Sequence, residues 1–240
     1  MKVKKTKLME HVMIKTQLSR RKYFEYLRDG KIKVNGKVIE DINYEIQKSK
    51  DKVVVNGETI SVHGSFDYYL YYKPKGVLST MTDPKDRKCI GDLVREKQLT
   101  VSPVGRLDRQ TTGLMILTND GNLSYVLTHP KHKVKKIYHV TVDKVLTKVT
   151  LTRLIAGVIL DDGPIQCDSI EQIEPIAIRI CISEGRNRIV RRLFDHLGYH
   201  VVNLKRTSIG PLQLGSLKPG ELKKITQKQL STIQQDIVSI

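Results

Sequence analysis

Gly105-Arg106-Leu107-Asp108-Arg109-Gln110-Thr111-Thr112-Gly113-Leu114-Met115-Ile116-Leu117-Thr118-Asn119-Asp120-Gly121 sets one carboxylate in a polar loop directly ahead of a strongly apolar run. Gly113 to Thr118 has the length and composition of a buried strand, and Asn119-Asp120-Gly121 closes it as a turn. The strand is a rigid mount, and Asp108 stands at its entrance with Arg106 and Arg109 close by on either side. Their charge favours the ionised carboxylate that a nucleophile or a base requires. The same cluster also fits a surface ion pair, which is common and weak. The residues alone leave both readings open.

Towards the C-terminus, Ile137 to Val142 alternates like a strand and puts Tyr138 on the face of Val140 and Val142, where it can also be an ordinary core tyrosine. A helix is expected from about Arg188 to Leu197, with Gly198 as its stop. Ile189, Val190, Leu193, Phe194 and Leu197 form its apolar face, and Arg188, Arg191, Arg192 and Asp195 project from the other side. That face could turn towards Asp108, or Arg191 could simply pair with Asp195 one turn on.

Towards the N-terminus, Tyr68 to Tyr72 reads as a strand from its aromatic content, stopped by Lys73-Pro74-Lys75-Gly76. His63-Gly64-Ser65-Phe66-Asp67 has the composition of a short linker. Two Asn-Gly pairs, Asn35-Gly36 and Asn56-Gly57, sit between β-prone runs and mark tight hairpins, because both residue types tolerate positive φ. A helix from about Ser19 to Asp29 precedes them, capped by Ser19 and followed by Gly30. Arg20, Arg21 and Lys22 crowd its first turn, where positive charge opposes the helix dipole. Phosphate binding is a natural use for them; a solvated surface is the plain alternative.

The 240 residues carry a formal net charge of +17. It is spread along the chain: 15 Lys+Arg against 8 Asp+Glu in residues 1–62, and 27 against 17 in the rest. Such an excess favours a polyanion through counterion release. No lipidation motif or basic amphipathic helix rich in Trp or Phe points to a membrane, so nucleic acid is the expected partner. No apolar run is long enough to span a bilayer, and no signal core follows the basic start, so a cytoplasmic location is expected. Cys89, Cys167 and Cys181 lack CxxC spacing and read as reduced, packed thiols. No histidine cluster has metal-ligand spacing, and no P-loop lysine motif occurs. Nothing in the sequence argues for an oligomer.

Read with its flanks, Gly-Arg-Leu-Asp-x-x-Thr-x-Gly-Leu followed by Leu-Thr-Asn-Asp-Gly resembles the signature of the RsuA-like bacterial rRNA pseudouridine synthases. Tyr72-Lys73-Pro74-Lys75-Gly76-Val77, the segment from His129-Pro130 to Val140, and Ser183 to Phe194 resemble further family segments in the same order. The first sixty residues resemble an S4-type RNA-binding domain, although Leu8-Met9-Glu10-His11-Val12 departs from its usual opening and leaves the first helix open. The resemblance implies an α+β protein: a small S4-like α/β domain over residues 1–62, a linker over 63–67, and a larger catalytic domain over 68–240 with a mixed, mainly antiparallel sheet. It implies the isomerisation of uridine to pseudouridine without a redox, metal or nucleotide cofactor. Asp108 would be the catalytic aspartate. Tyr138 would pack on the uracil, Arg191 would pair with Asp108 and position it, Leu204 would close the pocket, and Arg106 would help fill the gap left by the flipped base. Arg188 and Arg192, with Arg20, Arg21 and Lys22 of the first domain, would contact RNA. The implied partner is ribosomal RNA, free or in an assembling particle. Gly185-Arg186-Asn187-Arg188 leans towards members acting on large-subunit (23S) rRNA, whereas Arg206 to Leu212 leans towards the small-subunit (16S) type; the first is favoured. A non-catalytic RNA-binding assembly factor is the alternative of another class, disfavoured by the joint presence of Asp108, Tyr138 and Arg191.

Overall fold

The computed structural model describes residues 5–16, 18–47, 50–60 and 66–238. His63, Gly64 and Ser65 of the expected linker lie outside the described residues. The molecule is α+β. Both expected hairpins form: Ile32–Val34 with Lys37–Val38, and Val53–Val55 with Glu58–Ile60. Their turns place Asn35 and Gly36 at φ 51° and 82°, and Asn56 and Gly57 at 51° and 87°, the left-handed pair that matches the strand twist. The Arg20–Arg28 helix starts where the sequence puts it, with Ser19 Oγ accepting the Lys22 N–H at 3.1 Å. The opening segment, open on sequence, is helical over Leu8–Thr16. Leu8 and Val12 pack against Tyr23, Leu27, Ile32, Ile46 and Val53 in one small core.

From Tyr68 onward the chain is built on a mixed sheet, with nine strands among the described residues. Its main path runs Ser169–Glu174, Ala177–Ile182, Lys136–Val142, Val201–Ile209, Thr112–Thr118, Tyr68–Lys73 and Leu222–Lys224. Every pairing is antiparallel except one: Val201–Ile209 runs parallel to Thr112–Thr118, in the register Lys205 to Thr112 and Arg206 to Gly113. The unbroken apolar run of the Thr112–Thr118 strand is explained by burial on both faces. Leu114 and Ile116 join one layer with Leu70, Leu127, Ile209 and Ile233. Met115 and Leu117 face the other, with Tyr71, Val140, Ile180, Leu193 and Phe194. Each such side chain contributes roughly 1.5–3 kcal/mol relative to exposure, so this strand is well anchored.

The one parallel joint depends on Gly113. Its φ is +106°, and a Cβ there would lie 2.1 Å from the Arg206 carbonyl oxygen. No side chain fits between the two backbones. The loop bearing Asp108 leads straight into this joint. Cys89, Cys167 and Cys181 are free and buried. Among the described residues, no helix is long and apolar enough to cross a membrane.

The helix expected from about Arg188 forms. It spans Ile189–His196, and Arg188 precedes it with φ +48° in the left-handed region. The apolar face is the expected one, with Ile189, Val190, Leu193 and Phe194 all buried. Arg191, however, is buried as well, at 8% exposure, so it does not project freely from the polar side.

Candidate active site

The segment 73–79 straps the Asp108 loop on both flanks. The Ser79 hydroxyl donates to Leu107 O at 2.8 Å and accepts the Leu107 N–H at 3.0 Å. On the far side, Arg109 O accepts the Gly76 N–H at 2.8 Å and the Lys73 ammonium at 3.4 Å. Arg109 in turn donates from Nε to Gly76 O at 3.1 Å, and the Thr111 N–H bonds to Asp108 O at 3.0 Å. Both neighbours of Asp108 are therefore held by backbone-directed bonds while its own side chain, 28% exposed, stays open. Lys73 is fully buried, and burial pushes its ammonium down to about 8, against the pull of Asp108.

Asp108 opens onto a cavity whose wall includes Arg106, Leu107, Thr111, Leu127, Thr128, Lys136, Tyr138, Arg188, Ile189, Leu204 and Arg206. Five of the residues singled out on sequence thus meet in one place: Asp108, Tyr138, Leu204, Arg106 and Arg188. They come from distant parts of the chain. Sheet register accounts for part of this, since Arg206 sits opposite Gly113 on one side and Tyr138 on the other, and Leu204 sits opposite Val140. Tyr138 is 7% exposed and packs in the main core while it also lines the cavity.

Two arginines take other direct partners than those expected. The guanidinium facing Asp108 is that of Arg188, with Nη1 3.7 Å from Oδ2. Arg191 lies behind it and donates from Nη1 to Val201 O at 2.9 Å. Burial lowers its pKa, the nearby Arg188 adds to that, and Asp108 opposes both. Arg188, in the left-handed region ahead of the helix, lines the cavity, whereas Arg191, inside the helix, is engaged by the Val201 carbonyl. Arg191 also makes no ion pair with Asp195 among the described residues. The second is Arg192, whose guanidinium is engaged within the chain. It ion-pairs with Asp161 and Asp162, and Arg186 is tied to Asp162, Glu184 and the Pro164 carbonyl. These pairs fasten the 185–188 loop to the Val158–Leu160 and Gly163–Ile165 hairpin.

In the first domain, Arg20 and Arg21 are exposed at the helix start, whereas Lys22 pairs with Glu25 and lies 5.1 Å from the Tyr26 ring. Sequence reading missed Ser79 and Arg206. Ser79 belongs to no motif, and Arg206 lies inside a quoted segment where nothing local marks it as buried.

Among known proteins, the model of the RNA pseudouridylate synthase family matches residues 67–196, and that of the S4 domain matches residues 14–53. An uncharacterized RNA pseudouridine synthase of Mycobacterium bovis is 37% identical over 226 residues, covering 91% of this chain and 89% of its own. Ribosomal large subunit pseudouridine synthase B of Bacillus subtilis is 36% identical over 224 residues, covering 90% of each. A crystal structure of a pseudouridylate synthase superposes with a TM-score of 0.66 at 28% identity, covering 95% of this chain and 99% of that one.

Proposed function

The chain belongs to the RNA pseudouridylate synthase family, and from that premise we propose that it converts a specific uridine of 23S ribosomal RNA to pseudouridine, with Asp108 as the catalytic carboxylate. The observation that carries this reading is the meeting of Asp108, Arg188, Tyr138 and Leu204 in one cavity at the parallel strand joint. Residues 1–62 form the RNA-binding unit, 63–67 the linker, and 68–240 the catalytic unit. The expected compartment is the cytoplasm.

The chemistry matches the parts. The bond from uracil N1 to ribose C1′ breaks, the base turns, and a bond from C5 to C1′ replaces it. Asp108 acts on the sugar, either attacking C1′ or taking a proton from C2′. A base inside a helix is out of reach, so the nucleotide flips out at a cost of about a few kcal/mol. Arg106 at the exposed rim, with Arg20 and Arg21, offsets that cost through phosphate contacts. Tyr138 and Leu204 cover the base and keep it from escaping. Arg191 supports Arg188 and Asp108 from behind as a positioning residue.

The large subunit is supported by the wording Gly185-Arg186-Asn187-Arg188 and by the name of the Bacillus subtilis relative. The wording Arg206 to Leu212 favours the 16S alternative. The test incubates the protein with both rRNAs, naked and in assembling particles, and maps pseudouridine by chemical modification and primer extension. A new signal confined to 23S RNA is expected. A signal confined to 16S RNA moves the target, and no signal in RNA that demonstrably binds ends the reading.

A further inference from the structure

The cavity holds more positive charge than its carboxylate answers. Arg106, Lys136, Arg186, Arg188 and Arg206 line it against the single acidic residue Asp108. Arg186 is neutralised by Asp162 and Glu184, and Arg188 faces Asp108. Arg206 and Lys136 have no such partner among the described residues. Arg206 is 4% exposed; its Nε donates to Leu114 O at 2.8 Å, and its Nη2 is enclosed without a hydrogen-bond partner. The neighbouring Thr111 hydroxyl is also enclosed and unpartnered. The Lys136 ammonium donates to Val134 O at 2.6 Å, and burial with the adjacent Arg206 pushes it down to about 8. Burying a cation without a counter-charge is expensive, and a guanidinium with an idle N–H more so. Such groups cluster where a ligand completes them.

We propose that Arg206 and Lys136 form a subsite for an oxyanion of the reacting nucleotide, and that its occupant is the uracil ring during the interval in which it is detached. The proposal rests on the reading of the chain as a pseudouridine synthase. When the C1′–N1 bond breaks, its electron pair leaves on N1 and spreads onto O2 and O4. This holds whether Asp108 forms the new bond to C1′ or removes the C2′ proton, so the base is anionic by either route. It becomes neutral again when C5 supplies the pair for the C5–C1′ bond, as Asp108 leaves C1′ or returns the proton to C2′, after which C5 gives up its proton and N1 takes one up. Two cations fixed in the wall hold the oxygens through that turn and cost no reorganisation as charge develops. The other oxyanion in reach is the nucleotide's own phosphate. The base is favoured because Arg206 sits deep, level with Tyr138 in the strand register, among Leu107, Ile189 and Leu204. That wall suits a flat ring better than a sugar-phosphate backbone.

The test compares wild type with Arg206→Met, Arg206→Lys and Lys136→Gln on the rRNA that wild type modifies. Single-turnover rate at saturating RNA is measured beside RNA affinity across salt. Arg206→Met should slow the saturated rate by about a hundredfold, the effect of removing one donor to a developing oxyanion, with affinity and salt slope unchanged. Arg206→Lys should recover part of the rate, and Lys136→Gln should slow it in the same direction. A variant that instead loses affinity, lowers the salt slope by about one and keeps its saturated rate identifies a phosphate and overturns the assignment to the base. Wild-type rate and affinity in both Arg206→Met and Lys136→Gln overturn the subsite. If Arg206→Met does not fold, the half-buried Lys136 position decides by the same criteria. Wild-type protein that modifies no uridine refutes the functional reading itself, before any variant is compared.

Discussion

At the scale of single residues, Lys73 shows how a buried group braces the loop that carries Asp108. Its ammonium is fully buried, donates to Pro74 O at 3.0 Å and to Arg109 O, and holds the far flank of Asp108. Its folded pKa, about 8, lies below the ordinary value of 10.5. The unfolded chain therefore binds the proton more tightly, and stability from this group is lowest below pH 8 and rises as pH climbs towards 10.5. Lys73→Met removes that titration. The stability of wild type relative to the variant, measured by denaturant unfolding, should increase from pH 8 to pH 10; parallel curves would refute this origin of the shift. On activity, the variant leaves Arg109 O with only the Gly76 N–H. A loosened Asp108 loop should lower kcat by about tenfold or more with little change in RNA affinity, because small misplacements at a reacting centre are costly. The importance of Asp108 is visible in its motif. That of Lys73 and Ser79 is not, because their bonds cross 36 and 28 positions of chain and no local pattern encodes such a partner.

At the scale of elements, two contacts set the geometry of the cavity. The first is the close approach of Thr112–Thr118 and Val201–Ile209 at Gly113. Gly113→Ala puts a methyl into the Arg206 carbonyl at a backbone angle that alanine avoids, and should destabilise the protein by about 3 kcal/mol or more. A fall in Tm with loss of activity is the expected result; an unchanged Tm would mean that the joint tolerates a wider spacing. The second is the fastening of the 185–188 loop by Arg186 and Arg192 to Asp161 and Asp162. Since Arg192 is already paired, Arg192→Ala should leave the dependence of RNA affinity on salt nearly unchanged. Arg106→Ala, at the exposed rim, should reduce that slope by about one. Equal effects of the two would show that Arg192 leaves its acidic partners when RNA arrives. The helix bearing these residues is legible from its apolar periodicity. Its first residue is not, because the left-handed turn at Arg188 depends on where the neighbouring strand and hairpin hold the loop.

At the scale of the whole molecule, the charge of +17 is spread along the sequence, well beyond the Asp108 loop. Affinity for RNA should therefore come mainly from phosphate contacts and fall steeply with salt. Asp108→Ala should abolish pseudouridine formation and keep most of the affinity; filter binding across a salt series, beside the mapping assay, checks both halves. A flat salt response would contradict the electrostatic account, and an equal loss of binding and turnover would contradict the division of labour.

The sequence by itself determined the hairpin turns, the capped helix, the buried strand behind Asp108 and the motif that names the family, since each is written in a few neighbouring residues. Only the tertiary structure decided that Arg188 faces Asp108 in place of Arg191, that Arg192 is spent on acidic partners, and that Arg206 and Lys136 line the cavity unpaired. Those facts depend on strand order, on the parallel joint at Gly113 and on the left-handed residue ahead of the helix. Arg188 and Arg191 are three residues apart, about 60° around a helix, so local spacing puts both on one face and only the neighbouring strand and loop decide which guanidinium meets the carboxylate.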